Sequence, residues 1–349
     1  NIENINNSDV ALSIIRAIIS SDYNNSKKLF LADSRRGLVV TQHNNKEIDF
    51  LESMAPNGPA GINIGALSSS GENIMFTHGA KTTSWNNSYN HQEISLFNNY
   101  SWSQSSTLID LGVYDAVEVV GSKIDNAKFF VGTWNSGLLE FNGGSLVNQY
   151  NEKNSDLHSL QTITSSGWIR VGGVDFDDDN NLWVTNSQAE SPLSKLSAGG
   201  VWTSFSVPSL PTSIMSGKIL CVSNGQKWIQ LRNEGLIVVQ EENKEMISKK
   251  MGTMNGLPSQ TVNCFVEDGE GVVWVGTSQG LCVFYSPNEI FNNSAYSGEY
   301  ILIETEDGYV EKLFENTEIL DMKVDGANRK WVATKANGVF LVSPDGTSQ

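Results

Sequence analysis

Cations are scarce in this chain. Lys and Arg number 23 against 39 Asp and Glu, for a formal net charge of -16. The few cations stand singly or in pairs, so nothing in the sequence can track a phosphate backbone, and nucleic acid is excluded as a partner. No apolar run approaches the ~20 residues of a membrane-spanning helix, so no membrane span is expected. No helical hydrophobic period is sustained anywhere, which argues against an α-helical domain. Cysteine is limited to Cys221, Cys264 and Cys282. An odd count without a CxxC pair excludes a disulfide framework or a zinc knuckle. All three lie in apolar, strand-like runs and read as small buried hydrophobes; a Cys264–Cys282 bridge across one sheet is the alternative. The four histidines, His43, His78, His91 and His158, share no metal-ligand spacing and read as surface or loop residues. No G-x-S-x-G elbow occurs, and the Glu241–Glu242 pair falls in a polar turn. No catalytic constellation, metal site or cofactor site emerges, so the expectation is a protein that is not an enzyme. A signal peptide is also missing, and the chain opens at Asn1 rather than Met. That opening reads as a processed end or as one piece of a longer protein.

What the sequence has in quantity is glycine, 31 residues, with many short apolar runs set between Asn, Ser and Gly. That is how a turn-dense β protein reads. The stretch "VEDGEGVVWVGTSQGLCVF" and the later "VDGANRKWVATKANGVFLV" have one shape: an apolar run, an Asp-Gly turn, a Trp, a polar break, then Gly and more apolar residues. Searching outward from the Trp finds related contexts anchored at Phe30, Met75, Phe130, Trp183, Trp228, Trp274 and Trp331. Their spacings run from 45 to 57 residues and fill the chain. Each copy resolves into short β-branched and aromatic runs, too short for helices. In the sixth copy these are "TVNCFVED", "VVWVGT" and "GLCVFY", with a more variable fourth strand in "YILIET".

A lone four-stranded sheet exposes two faces and two edges, and a ring of such sheets buries the faces against neighbours. The expected fold is therefore all-β: a single seven-bladed β-propeller of four-stranded antiparallel blades spanning residues 1–349. The anchors should form the cores between blades. The second copy carries the polar insert "TTSWNNSYNHQ" and the fourth carries "SQAESPLSKLSAGG", so these should be the longer, variable blades. After Val342 too little chain remains for an outer strand. The last blade would borrow one from around "NIENI" or find it outside this sequence.

The run "VDFDDDNNLWV" brings Asp175, Asp177, Asp178 and Asp179 together. Alternate carboxylates can converge on Ca²⁺, but the glycine and glutamate that complete such a loop are missing. In the repeat frame it is the turn before Trp183. In a propeller the connections between second and third strands open onto one face. Read directly, they supply Arg35 and Arg36, Trp134 and Asn135, Arg232 and Asn233, and Lys335. Arg forks suit carboxylate or phosphate, and Trp suits a sugar face or an apolar side chain. This face is the expected partner site, for an anionic glycan or an acidic protein loop. Lys227 and Arg329 mark the opposite face.

The stretch "NGLPSQTVNCFVEDGEGVVWVGTSQGLCVF" resembles the two-component regulator propeller repeat. "VDGANRKWVATKANGVFLVSPDGT" resembles the propeller region of PorZ-type proteins of type IX secretion. The resemblance implies one module of a larger cell-envelope protein, in the periplasm or at the outer surface. It also implies a scaffold role beside a protein partner such as a sortase, or anionic lipopolysaccharide. The other implied role is a glycan-sensing periplasmic propeller of a hybrid two-component regulator. A propeller enzyme acting on polysaccharide is the third reading, and it lacks the acid and histidine cluster it would need.

Overall fold

The computed structural model describes residues 14–21, 27–33, 37–44, 47–54, 58–59, 61, 63–91, 93–105, 108, 110–161, 167–243, 245–304 and 308–348. It divides into two compact units, Asn1–Gly58 and Pro59–Gln349. The described part of the first unit is one antiparallel meander of four strands: β1 (Ile14–Ser21), β2 (Lys27–Asp33), β3 (Gly37–Asn44) and β4 (Glu47–Met54). Its anchor Phe30 is only partly buried.

The second unit holds six blades in chain order. Blade 1 is β5 (Ala66–Ser70), β6 (Asn73–Thr77), β7 (Ser95–Asn98) and β8 (Ser101–Gln104). Blade 2 is β9 (Ala116–Gly121), β10 (Lys128–Thr133), β11 (Leu138–Asn142) and β12 (Ser145–Tyr150). Blade 3 is β13 (Val171–Phe176), β14 (Leu182–Asn186), β15 (Leu193–Leu196) and β16 (Trp202–Phe205). Blade 4 is β17 (Ser216–Cys221), β18 (Lys227–Leu231), β19 (Leu236–Glu242) and β20 (Glu245–Met251). Blade 5 is β21 (Val262–Glu267), β22 (Val273–Thr277) and β23 (Gly280–Phe284), followed by α1 (Glu289–Asn292) and a separate hairpin of β24 (Leu302–Glu304) and β25 (Val310–Lys312). Blade 6 is β26 (Ile319–Val324), β27 (Lys330–Thr334) and β28 (Gly338–Val342).

Six blades, not seven, is a correction to the sequence expectation. The innermost strands β5, β9, β13, β17, β21 and β26 pack each on the next. Five apolar clusters fill the five junctions between them. The first repeat copy instead builds the sheet of the separate unit. The repeat period registers that a stretch makes a sheet. Membership in the stack depends on face complementarity, which the period does not encode. The fourth strand expected in "YILIET" is also absent from its blade. That segment forms the β24–β25 hairpin, and among the described residues only the isolated Val283–Glu299 bridge continues the sheet. The fourth copy, expected to be long and variable, is a regular four-stranded blade with a short Ser187–Pro192 connection. The suggested closing strand near Asn1–Ile5 lies outside the described residues.

Each anchor occupies the junction with the following blade. Met75, Phe130, Trp183, Trp228 and Trp274 are all buried. Trp331, on the last blade, is 46% exposed. The repeated Asp-turn-Trp motif has a specific geometry. Asp177, Asp268 and Asp325 each stand six residues before a Trp. One carboxylate oxygen takes two turn amides: 3.1 and 2.8 Å for Asp177, 3.0 and 3.1 Å for Asp268, 2.9 and 3.0 Å for Asp325. The other oxygen accepts the indole N–H, at 2.8, 2.9 and 3.1 Å. Both oxygens of Asp177 are thus engaged by its own turn and indole.

The next blade then covers the indole with a lysine. Lys227 Nζ lies 4.4 Å from the Trp183 ring centroid, and Lys330 Nζ 4.5 Å from that of Trp274. Lys330 also pairs with Asp268 at 2.8 Å, both side chains being almost wholly buried. All three cysteines are free, so the Cys264–Cys282 bridge is not formed. Burial pushes the Cys264 thiol up to about 12 and raises those of Cys221 and Cys282.

Candidate functional site

The second-to-third-strand connections follow one backbone rule. In blades 2 to 6 the first residue of the connection donates its N–H to the carbonyl just before the blade's first strand. The pairs are Trp134–Asp115, Ser187–Arg170, Arg232–Met215, Ser278–Thr261 and Lys335–Glu318, at 2.8 to 3.0 Å. Thr133, Thr277 and Thr334 close the same turns by donating their hydroxyls to Gly137, Gly280 and Gly338 carbonyls. Trp134, Arg232 and Lys335 therefore occupy equivalent positions on one face.

Their side chains do not converge. Trp134 is fully buried, and its indole donates to the Trp85 carbonyl at 2.7 Å. Asn135 is buried and spent on the Tyr114 amide and the Gly112 carbonyl. Arg232 is partly buried, with a buried Nε that has no acceptor among the described residues. Asn233 is exposed and accepts from Thr261 Oγ1 at 3.3 Å. Lys335 is exposed and pairs with Glu318 at 2.7 Å. Arg35 and Arg36 lie outside the described residues. Of the opposite-face markers, Lys227 is buried over Trp183, while Arg329 is exposed in the Asp325 turn. His78 is not a surface residue: it is buried between the Asn63 carbonyl and Ser95 Oγ.

What gathers on this face is the insert of the second copy. Residues 79–91, between β6 and β7, form a strap tied down by neighbouring blades. Asp115 of blade 2 is fully buried. Its carboxylate accepts Ser88 Oγ at 2.6 Å and the Ser88, Tyr89 and Asn90 amides at 3.0, 3.1 and 2.9 Å. It also takes Asn87 Nδ2 at 3.1 Å. Arg170, just before β13, donates Nη2 to Asn87 Oδ1 at 3.0 Å and Nη1 to Gln188 at 2.8 Å. Midway along the strap, Trp85 packs edge-to-face on Trp134 at 6.1 Å.

Two glycines make room for these rings. A Cβ on Gly172 of β13 would stand 2.9 Å from the Trp134 ring, and one on Gly217 of β17 would stand 2.7 Å from the Trp85 ring. Any side chain at either position would collide with an indole.

Beneath the strap lies a cavity of about 380 Å³ lined by Lys81, Trp85, His78, Glu118, Lys218 and Gln230, among others. It shares Gly65, Glu118 and Lys218 with a second cavity of about 420 Å³, walled by all six innermost strands. Together they form the axial channel of the six-bladed unit and its mouth. Charged residues alternate with apolar ones on the inner strands, so that Glu118, Asp175, Lys218, Asp321 and Lys323 face the channel. Burial raises the Glu118 carboxyl and pushes that of Asp175 up to about 6. Burial opposes the charge of Lys218, but Glu118 and Asp321, the latter 3.6 Å away, hold its pKa above the usual value. Lys81 Nζ sits 4.1 Å from the Trp85 centroid and 4.6 Å from that of Trp134. Burial brings Lys81 down to about 8, against the pull of Glu118 and with help from Lys218 and Arg170.

Sequence reasoning missed Lys81, Trp85, Asp115, Glu118, Arg170 and Lys218. Two signals were present: the odd insert, and single charges inside otherwise apolar first strands such as "AVEVVG" and "SGKILC". Among the described residues, no helix is long and apolar enough to cross a membrane.

The family model described as two component regulator propeller matches residues 256–279, one repeat of blade 5. No curated protein matches the chain in sequence. Among solved structures, it is similar to PorZ of Porphyromonas gingivalis, a bacterial surface component of the type-IX secretion system. The TM-score is 0.78 at 20% identity, covering 95% of this chain and 49% of that one. The chain thus spans about half the length of that protein. It is also similar to virginiamycin B lyase from Staphylococcus aureus, with TM-score 0.52 at 13% identity over 92% of both chains. A third likeness is the Cps50 (Swd1) propeller domain of Myceliophteria thermophila, with TM-score 0.53 at 9% identity over 95% of this chain and 97% of that one. At these identities the likenesses speak for the propeller fold, which serves binders and enzymes alike.

Proposed function

We propose that this chain is a non-catalytic binding propeller of a bacterial cell envelope, working in the periplasm or at the outer surface. The observation that carries the reading is the strap-covered channel mouth. There the chain gathers Lys81 and Lys218 beside Trp85, with Arg170 stacked on the adjoining Trp134 indole, although its net charge is -16. Such a constellation holds a partner by charge-assisted bonds at a partly desolvated site. The similarity in fold to PorZ supports an envelope scaffold contacting a protein partner or an anionic glycan such as lipopolysaccharide. The partner face is the one that presents the strap, Asn135, Arg232, Asn233 and Lys335.

The second reading is a glycan-sensing propeller of a hybrid two-component regulator, which the repeat match over residues 256–279 favours. One experiment addresses both. A photo-crosslinking residue is placed at Thr83 in the strap, or at Arg329 on the opposite face, in intact cells. Crosslinks to an envelope protein from Thr83 alone support the scaffold reading. Crosslinks from Arg329 alone overturn the choice of face. Crosslinking to glycan without protein moves the conclusion to the sensor.

A further inference from the structure

The mouth of the channel contains one cationic group, Lys81, whose hydrogen-bonding capacity is unspent among the described residues. Lys81 rests against two indole rings, and among the described residues its electrostatic partners are Glu118, Lys218 and Arg170, with no hydrogen-bonded carboxylate. Arg170 stacks on Trp134 at 5.1 Å, spends its two terminal nitrogens on Gln188 and Asn87, and leaves a buried Nε without an acceptor. The strap that carries Lys81 is held by five bonds to Asp115, so the ammonium is positioned before any ligand arrives. That lowers the ordering cost of binding.

We propose that this mouth is a seat for a carboxylate of a peptide partner, an acidic side chain or a chain terminus, with Lys81 as its principal donor. This rests on the reading that the strap face meets a protein. Geometry favours a peptide over a sugar. A pyranose needs an open aromatic face, but Trp134 is fully buried and its ring faces are occupied by Trp85, Lys81 and Arg170. The space beneath the strap, about 380 Å³, admits a side chain or a short chain end. Two ammonium groups, Lys81 and Lys218, line this cavity against one carboxylate, Glu118. The local field therefore favours an anion in an otherwise acidic chain.

The test measures binding of a labelled short oligoglutamate to the full chain by fluorescence anisotropy, beside oligoglutamine and oligogalacturonate. Oligoglutamate should bind and oligoglutamine should not. Lys81→Met should weaken binding at least about tenfold, as loss of a charge-assisted bond does. Lys81→Arg should keep most of it, and Arg329→Met, on the opposite face, should change nothing. Near-identical melting curves identify variants that fold.

Binding also requires protonated Lys81, so it should be present at neutral pH and fall as pH rises past about 8. The groups facing Lys81 across this cavity are Glu118, Lys218 and His78, and Arg170 acts on it electrostatically from outside the lining. An unchanged affinity in both Lys81 variants, preferential binding of oligogalacturonate, or no binding of any probe overturns the proposal. The two readings separate cleanly. Crosslinks from Thr83 that persist in Lys81→Met keep the partner face and remove the seat. Their absence in the unsubstituted chain removes the partner face itself.

Discussion

Replacing Lys330 with methionine should destabilise the six-bladed unit by about 3 kcal/mol, as breaking a buried ion pair does. The structure supplies the reasoning. Lys330 crosses from blade 6 into the blade 5 junction, where its ammonium meets Asp268 at 2.8 Å, the Pro344 carbonyl at 2.6 Å and the Trp274 ring at 4.5 Å. Methionine keeps the length of the stem but leaves Asp268 charged and buried. The loss should sit at the low end of the ~3–5 kcal/mol range, because three N–H groups still bind that carboxylate. Asp268→Asn keeps an acceptor for the turn and the indole while stranding Lys330. The double variant strands neither charge, so it should be less destabilised than the sum of the singles, with a coupling of about 2 kcal/mol.

Urea unfolding followed by tryptophan fluorescence measures this, since all nine tryptophans lie within Pro59–Gln349. Acid gives a second readout. Burial alone would lift the Asp268 carboxyl. Hydrogen bonds from Lys330, Trp274 and the Val272 and Glu270 amides outweigh it and hold the group below its usual range. Its stabilisation is therefore present above the unfolded value of ~3.9 and lost as pH falls through the lower folded value. Lys330→Met should flatten that acid limb. A loss below ~0.5 kcal/mol with no coupling would refute the reasoning, because it would place the pair among solvated surface bridges.

The anchors should be unequal. Trp274→Ala should cost about 3–5 kcal/mol, and Trp331→Ala less than about 1 kcal/mol; equal losses in urea unfolding would contradict the six-blade assignment. Asp115→Ala removes five bonds from the strap and should cost about 2–3 kcal/mol. Hydrogen exchange should then speed up at Ser88, Tyr89 and Asn90 while the β10 amides stay protected. Asp175 titrates the other way from Asp268. Its folded carboxyl lies near about 6, so the folded state binds the extra proton and stability falls as pH rises from ~4 to about 6. Asp175→Asn should recover about 2–3 kcal/mol at neutral pH and abolish that slope, as melting at several pH values would show.

Much of the blade was legible because its chemistry is local. "VEDGEGVVW" encodes an Asp that caps its own turn and its own indole, so sequence spacing alone reports the geometry. Thr277 and Gly280 are likewise close in sequence and close in space. The misses share one physical cause: they depend on what lies opposite. The Phe30 copy makes a four-stranded sheet, as its period says, but that sheet belongs to the first unit rather than to the six blades. Trp134 looks like an exposed turn aromatic until Trp85, from 49 positions earlier, covers it. Lys227 reads as a surface charge, yet the preceding blade offers it an indole to lie on. Segment "YILIET" is a fair strand by composition, but α1 diverts the chain and leaves a single bridge to the sheet.

The strap also alters how the unit can come apart. Stacked repeats ordinarily couple only to their neighbours, so opening can begin at either end and travel inward. Residues 79–91 start in blade 1 and are held by Asp115 of blade 2 and Arg170 at blade 3, with Trp85 resting on Gly217 of blade 4. Opening blade 1 therefore means releasing contacts three blades away. Blades 5 and 6 have no share in those ties. The expected consequence is a lopsided cooperativity, in which blades 1 to 4 exchange their amide hydrogens as one foldon and the C-terminal pair frays on its own.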